Sequence, residues 1–286
     1  MNISKDIVLR IVGIGSIGAS IVQAFAQSGF TVHGIDIAKI NIDNGFKRIE
    51  QNLDNLILKE KMDSREKEII LSRITLGTEM DSIRNADVII EAIYEDLDAK
   101  KDIFYTIDTL VTSRKALLLT NTSSLSVSEI ASATDRPEQV AGMHFFNPVP
   151  VMKLVEVVRG VLTSDRAINR IKDLALLMGK TPIMSADRPG FIVNRMLNAL
   201  FVEASRIVEE GVGTVEDVDI GAKLGCGHPM GPFELFDYLN ALPLLEHVTD
   251  YMAEELGERF RLPAWVKKLA TENEAGKGIK KFYGQS

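Results

Sequence analysis

A side chain that exchanges a proton near neutral pH is most simply a histidine, and this chain has four: His33, His144, His228 and His247. His33 lies in an apolar run that reads as a strand and His247 in a helical pattern, so both suit structural or surface positions. His228 stands in the loop sequence CGHPMGP. His144 differs, because it closes the apolar run Val140–Phe145 and precedes Phe146-Asn147-Pro148-Val149-Pro150, a stiff turn sequence. If the chain reverses near Pro150 and the run Leu154–Val158 returns antiparallel, Glu156 falls opposite His144, about 5 Å away between Cβ atoms. A carboxylate there would fix the imidazole tautomer and stabilise the imidazolium formed on proton transfer. The same two residues read equally as an ordinary structural ion pair, or as residues that never meet.

A second constellation lies at the start of the chain. Gly13-Ile14-Gly15-Ser16-Ile17-Gly18 has the spacing G-x-G-x-x-G, after an apolar strand and before the amphipathic stretch Ala19–Ser28. The first glycine permits a tight turn, the second lets a pyrophosphate approach the backbone, and the third lets helix and strand pack closely. The helix N-terminus then offers N–H groups and partial positive charge to the phosphates. Asp36 closes the next strand, where a carboxylate accepts hydrogen bonds from an adenosine ribose and repels a 2′-phosphate, which favours NAD over NADP. The alternative is that Asp36 caps the following helix.

Neutral donors complete the set. Thr120-Asn121-Thr122-Ser123-Ser124 follows another apolar run. Ser126 with Glu129 has the spacing of a capping box, which leaves Ser123 to hydrogen-bond a substrate. Asn194 stands near the start of a long helical stretch, where it would bring an amide into a cleft between domains.

These residues need a scaffold. The first ~180 residues alternate short apolar strands with helical stretches, the pattern of a mostly parallel sheet covered on both faces. Expected strands are Ile7–Val12, Thr31–Asp36, Val88–Ala92, Leu117–Thr120, Val140–Phe145 and Leu154–Val158. The catalytic candidates then emerge at the carboxyl ends of strands, where open α/β sheets collect ligands. Between Asn44 and Arg73 the apolar residues Phe46, Ile49, Leu53, Leu56 and Ile57 recur at helical spacing, predicting a helical hairpin standing off the sheet. The alternation stops near SADRPG and the rest is helical. The expected architecture is therefore α/β: a Rossmann-type doubly wound domain over residues 1–186, with the hairpin inserted, followed by an all-helical domain over 187–286. Arg10 fits badly, because a guanidinium in a strand buried on both faces is costly.

Composition narrows the class. The 286 residues are 45% hydrophobic and 26% charged, enough apolar side chain for a core, and the net charge of −7 without a basic run argues against nucleic acid. No stretch approaches ~18 uninterrupted apolar residues, so no membrane partner is expected. Cys226 is the one cysteine, as suits a reducing compartment. The opening MNISKDIVLRIVGIG lacks the features of a signal peptide, and a cytoplasmic protein is expected. No metal site is expected.

The strings GIGSIGAS, EAIYEDLDAKKDIF, TNTSSLS, GMHFFNPVPVMKLVEVVRG, GKTPI, DRPGFIVNRML and GHPMGPFELFDY occur in this order. Together they resemble the 3-hydroxyacyl-CoA dehydrogenase family, most of all its short 3-hydroxybutyryl-CoA members. The resemblance implies reversible oxidation of an L-3-hydroxyacyl-CoA by NAD. It implies His144 as base, Glu156 as its orienting partner, and Ser123 and Asn194 holding the reacting oxygen. It implies NAD contacts at Gly13 to Gly18, Asp36, Glu95, Lys100, Asn121, Asn147 and Lys277, and a homodimer joined through the helical domain. Three departures stand out, the first being that the helical hairpin offers no position-by-position match for the family's coenzyme A contacts. The family's Gly-Leu-Asp after FELFDY is replaced by Leu239-Asn240-Ala241-Leu242-Pro243, and Lys277 lacks the two glycines that support it in the family. A related scaffold that oxidises L-gulonate, and a non-catalytic NAD-binding protein, are the alternatives.

Overall fold

The computed structural model describes residues 3–239, 242–272 and 279. The chain divides into two compact units, Met1–Arg188 and Pro189–Ser286.

The first unit carries one sheet, eight-stranded among the described residues. In chain order its elements are β1 (Leu9–Val12), α1 (Ser16–Gln27), β2 (Val32–Ile35), α2 (Lys39–Leu58), α3 (Ser64–Ser72), β3 (Ile74–Gly77) and β4 (Val88–Glu91), then α4 (Leu97–Leu110), β5 (Leu117–Thr120), α5 (Val127–Ala131), β6 (Val140–Phe145), β7 (Leu154–Arg159), α6 (Asp165–Leu177) and β8 (Thr181–Ala186). The strand order is β3-β2-β1-β4-β5-β6-β7-β8. The six strands from β3 to β6 are parallel in the doubly wound Rossmann order, β7 runs antiparallel to β6, and β8 lies parallel to β7.

The central strands form because they are short apolar runs buried on both faces, as in the sequences LLLT of β5 and VAGMHF of β6. Helix α1 covers one face with Ile21, Val22 and Phe25, all fully buried, and each such burial stabilises by roughly 1.5–3 kcal/mol. Strands β3 and β8 do not stand out in the sequence. Both lie at sheet edges and are largely exposed or half-buried, so they lack a continuous apolar run. Pro182 within β8 is tolerated there because an edge strand can lose a ladder donor.

Two expectations change. The hairpin of α2 and α3 does not stand off the sheet: Ile42, Ile49, Leu53 and Ile70 are buried in the same core as α1. Its apolar residues make the first layer over α1, and its charges face outward. Arg10 is only half-buried, and its guanidinium finds carbonyls rather than a carboxylate, Nε donating to Ser82 O at 2.9 Å and Nη1 to Leu9 O at 3.1 Å. Burial still pushes its pKa down.

The second unit is helical: α7 (Val193–Glu209), α8 (Val215–Ile220), α9 (Pro232–Tyr238), α10 (Leu242–Leu256) and α11 (Ala264–Glu272). Its core gathers Phe201, Val202, Val215, Phe233, Phe236 and Val266, with Phe201 and Phe236 stacked at 4.0 Å between centroids. Gly211, at φ 69°, ends α7 in the left-handed conformation that glycine adopts without strain. Thr214 and Asp217 then form a capping box that starts α8. Cys226 is exposed. No helix among the described residues is long and apolar enough to cross a membrane.

Candidate active site

The glycine turn joins β1 to α1. Gly13 holds φ 93°, and a Cβ on it would lie 2.7 Å from Ala92 O; a Cβ on Gly18 would lie 1.8 Å from Gly13 O. Both glycines are therefore demanded by packing. A Cβ on Gly15 would meet nothing within 4 Å, so its place faces open space at the mouth of α1, whose N-terminus has no side-chain cap and no acid in its first turn. That is the opening a pyrophosphate needs, with N–H groups to receive it.

Asp36 follows β2 and is nearly buried. Its Oδ2 accepts from Ile14 N at 2.8 Å, and its Oδ1 from Ala38 N and Asn41 Nδ2, each at 3.0 Å. The capping alternative is thus partly realised, since Asp36 shapes the entry to α2. An ionised carboxylate offers about four lone-pair positions, so three internal bonds still leave capacity for a ribose hydroxyl. Gly13, Gly15, Asp36 and Asn41 line one cavity of about 590 Å³ with apolar walls at Ile37 and Ile93. A carboxylate rim, an uncapped helix mouth and an apolar slot fit an adenine dinucleotide.

Beside this cavity lies a polar network, buried at Glu91 and Lys100 and exposed at Glu95. Glu91, the last residue of β4, is fully buried, and its Oε1 is 2.6 Å from Lys100 Nζ and 2.7 Å from Ile93 N, while Oε2 accepts from Thr120 Oγ1 at 2.8 Å. Its only sequence signal is a carboxylate ending the apolar run VIIE. Lys100 is also buried and reaches Glu95 Oε2 at 3.3 Å. Glu95 Oε1 in turn accepts from Thr122 Oγ1 at 2.5 Å, Ser123 N at 2.9 Å, Ser124 N at 3.2 Å and Ser124 Oγ at 3.1 Å. Burial pushes the Glu95 pKa up, but the Lys100 charge and these hydrogen bonds outweigh it and hold the carboxyl below its ordinary value. Ser123 is therefore held by Glu95, its hydroxyl at 3.5 Å from the same oxygen, and is not left to the substrate alone. Ser126 caps α5 by accepting from Glu129 N at 3.2 Å, and donates to Asp187 Oδ2 at 2.9 Å.

His144 and Glu156 meet. They are register partners across β6 and β7, and His144 Nδ1 lies 2.7 Å from Glu156 Oε2 with both side chains buried. Because a carboxylate only accepts, Nδ1 carries the proton and Nε2 of the neutral ring holds the lone pair. Phe146 lies against the ring, 4.6 Å between centroids. Asn121 fixes the end of the same strand, its Oδ1 accepting from Phe145 N at 2.9 Å. Asn147 is exposed at the start of the turn that follows.

His33 is half-buried in β2 beside Arg10, and burial and then that charge push its pKa down. Asn194 belongs to the second unit, on the first turn of α7, where its carbonyl accepts from Asn198 Nδ2 at 2.8 Å. Lys277 lies outside the described residues.

Comparison with known proteins follows the same division. Residues 8–188 match the model of the 3-hydroxyacyl-CoA dehydrogenase NAD binding domain, and residues 190–285 that of the 3-hydroxyacyl-CoA dehydrogenase C-terminal domain. The chain is 38% identical over 273 residues to a 3-hydroxybutyryl-CoA dehydrogenase of Clostridioides difficile, covering 95% of this chain and 96% of that one. Among solved structures it is similar to (S)-3-hydroxybutyryl-CoA dehydrogenase from Ralstonia eutropha, with a TM-score of 0.91, 36% identity, and 96% and 97% of the two chains covered. It is also similar to FadB2 of Mycobacterium tuberculosis, with a TM-score of 0.90, 36% identity, and 95% and 96% covered.

Proposed function

Since the chain belongs to the 3-hydroxyacyl-CoA dehydrogenase family, matching the models of both its domains, we propose that it oxidises an L-3-hydroxyacyl-CoA of the 3-hydroxybutyryl class to the 3-ketoacyl-CoA, with NAD as cofactor. The observation that carries this reading is the His144–Glu156 pair at the carboxyl end of β6, in the same sheet as the glycine turn and Asp36.

Bound NAD supplies the hydride acceptor. The chain's own residues do the rest. Nε2 of His144 takes the proton of the C3 hydroxyl, and the imidazolium that forms is offset by Glu156 through Nδ1–H, in a buried site where that attraction is screened far less than in water. In the reverse direction the imidazolium returns the proton to the ketone oxygen. Ser123 and Asn194 hold the reacting oxygen, and Glu95, braced by Lys100, sets the turn that carries Ser123. Gly13, Ile14, Gly15, Ser16, Ile17 and Gly18 receive the pyrophosphate, Asp36 the ribose, and Glu95, Lys100, Asn121, Asn147 and Lys277 complete the cofactor contacts.

In the same reading the first unit binds the cofactor and the second provides the dimer contact. Exposed apolar side chains at Val212, Ile220 and Leu224 of the second unit support that contact, and light scattering that gives the mass of one chain would contradict it. The exposed thiol of Cys226 suits a cytoplasmic setting.

The deciding experiment is reduction of acetoacetyl-CoA by NADH, followed at the nicotinamide absorbance band. Turnover is expected. Oxidation of L-gulonate with no turnover of any ketoacyl-CoA would replace this reading.

A further inference from the structure

The string GKTPI contributes a buried lysine that takes no part in the chemistry above. Lys180, just before β8, is 7% exposed. Its Nζ donates to Val149 O and to Met152 O, each at 2.7 Å, and lies 6.0 Å from the centroid of the Phe145 ring. Among the described residues no carboxylate lies within 4.0 Å of it. Taking an ammonium out of water costs several kcal/mol, and here only two carbonyl dipoles and a ring face compensate. Burial accordingly pushes its pKa down. A methionine of similar length would fill the space without that cost, so the ammonium is retained for what it binds.

What it binds is the connection between the two strands of the proton-transfer pair. The turn from Asn147 to Lys153 joins β6, which carries His144, to β7, which carries Glu156. Pro148 O receives Val151 N and Met152 N, both at 3.0 Å, and Lys153 O receives Thr181 N at 2.7 Å. Val149 is buried, and a buried carbonyl left without a donor would be costly. Lys180 supplies that donor and reaches the far end of the same turn at Met152, while Thr181, the next residue, pairs with Leu154 at the foot of β7.

We propose that Lys180 is a positioning residue for proton transfer: its ammonium fastens the turn between β6 and β7 and so keeps His144 seated against Glu156. The proposal rests on the reading of His144 as the base.

The test compares Lys180→Met, Lys180→Arg, Glu156→Gln and the Lys180→Met/Glu156→Gln double variant, with kcat expressed per NADH-binding site so that unfolded protein does not count. Lys180→Met is expected to lower kcat by about tenfold or more, since small misplacements of a reacting group can cost up to 10²-fold, with KM for NAD changed by less than about twofold. Lys180→Arg should recover most of the loss. If Lys180 acts through the pair, the double variant is no slower than Glu156→Gln alone. Should Lys180→Met yield no cofactor-binding protein, Lys180→Gln, which keeps an amide donor, is measured in the same way and should fall between wild type and Glu156→Gln. A kcat per site within about twofold of wild type, or losses that multiply in the double variant, would overturn the proposal. His144→Ala separates this failure from that of the parent reading: an active His144→Ala enzyme refutes the base, whereas an inactive one beside an unimpaired Lys180→Met refutes only the role of Lys180.

Discussion

His144 Nδ1 and Glu156 Oε2 stand 2.7 Å apart, on residues that are direct partners across an antiparallel pair of strands. The carboxylate leaves Nε2 as the basic nitrogen. His144→Ala is expected to leave NADH binding, measured by fluorescence titration, unchanged and to cut kcat by at least ~100-fold, the usual worth of general acid–base help. Glu156→Gln should retain binding and lose part of that rate. Near-normal turnover in the alanine variant would remove His144 from the mechanism.

Asp36 spends three hydrogen bonds on Ile14, Ala38 and Asn41 and lines the cavity beside the glycine turn. Asp36→Ala is expected to weaken NADH binding about tenfold or more, in line with ~1.5–3 kcal/mol for a hydrogen bond to a charged group. Discrimination against NADPH should shrink with it. Equal affinities for both cofactors before and after the change would sink the assignment.

Gly15 and Gly18 separate cofactor binding from stability. A methyl on Gly18 collides with Gly13 O, whereas one on Gly15 enters open space. Gly18→Ala should lower Tm and weaken NADH binding together. Gly15→Ala should leave Tm close to wild type while still weakening NADH binding, because only the bound pyrophosphate would meet the methyl. Unaltered affinity in Gly15→Ala would mean that the phosphates lie elsewhere.

Glu95 gives a pH dependence with a definite sign. Its folded pKa lies below the ordinary value of 4.5, so the stability it contributes is present above that value and is lost as pH falls through the lowered one. The Tm difference between wild type and Glu95→Gln is therefore expected to be greatest near neutral pH and to vanish under acid conditions. A difference that stays constant across the range would show that the charge of Glu95 does not hold the Thr122–Ser124 turn.

The alternation of strands and helices, the glycine turn and Asp36 were legible in the chain, while the antiparallel return that sets Glu156 opposite His144 was legible only as one of the open readings, and tertiary structure decided it. Each rests on local pattern: an apolar run such as LLLT, the three-glycine spacing, and the Pro148–Pro150 turn sequence, which permits a reversal without demanding one. Period-two geometry then leaves Glu156 the one carboxylate of β7, on the strand face it shares with His144. The strands Ile74–Gly77 and Thr181–Ala186 were not legible, because edge strands need no continuous apolar run and take their conformation from the neighbour they pair with. The hairpin's burial over α1 was hidden for a similar reason: helical spacing shows which face of α2 is apolar but not what covers it. The buried contacts of Glu91, Lys100 and Lys180, and the hold of Glu95 on Ser123, were decided by tertiary structure alone. In a linear sequence these are ordinary solvated charges. Only folding removes the water and leaves a carboxylate, a carbonyl or a turn of backbone N–H groups as the available partner.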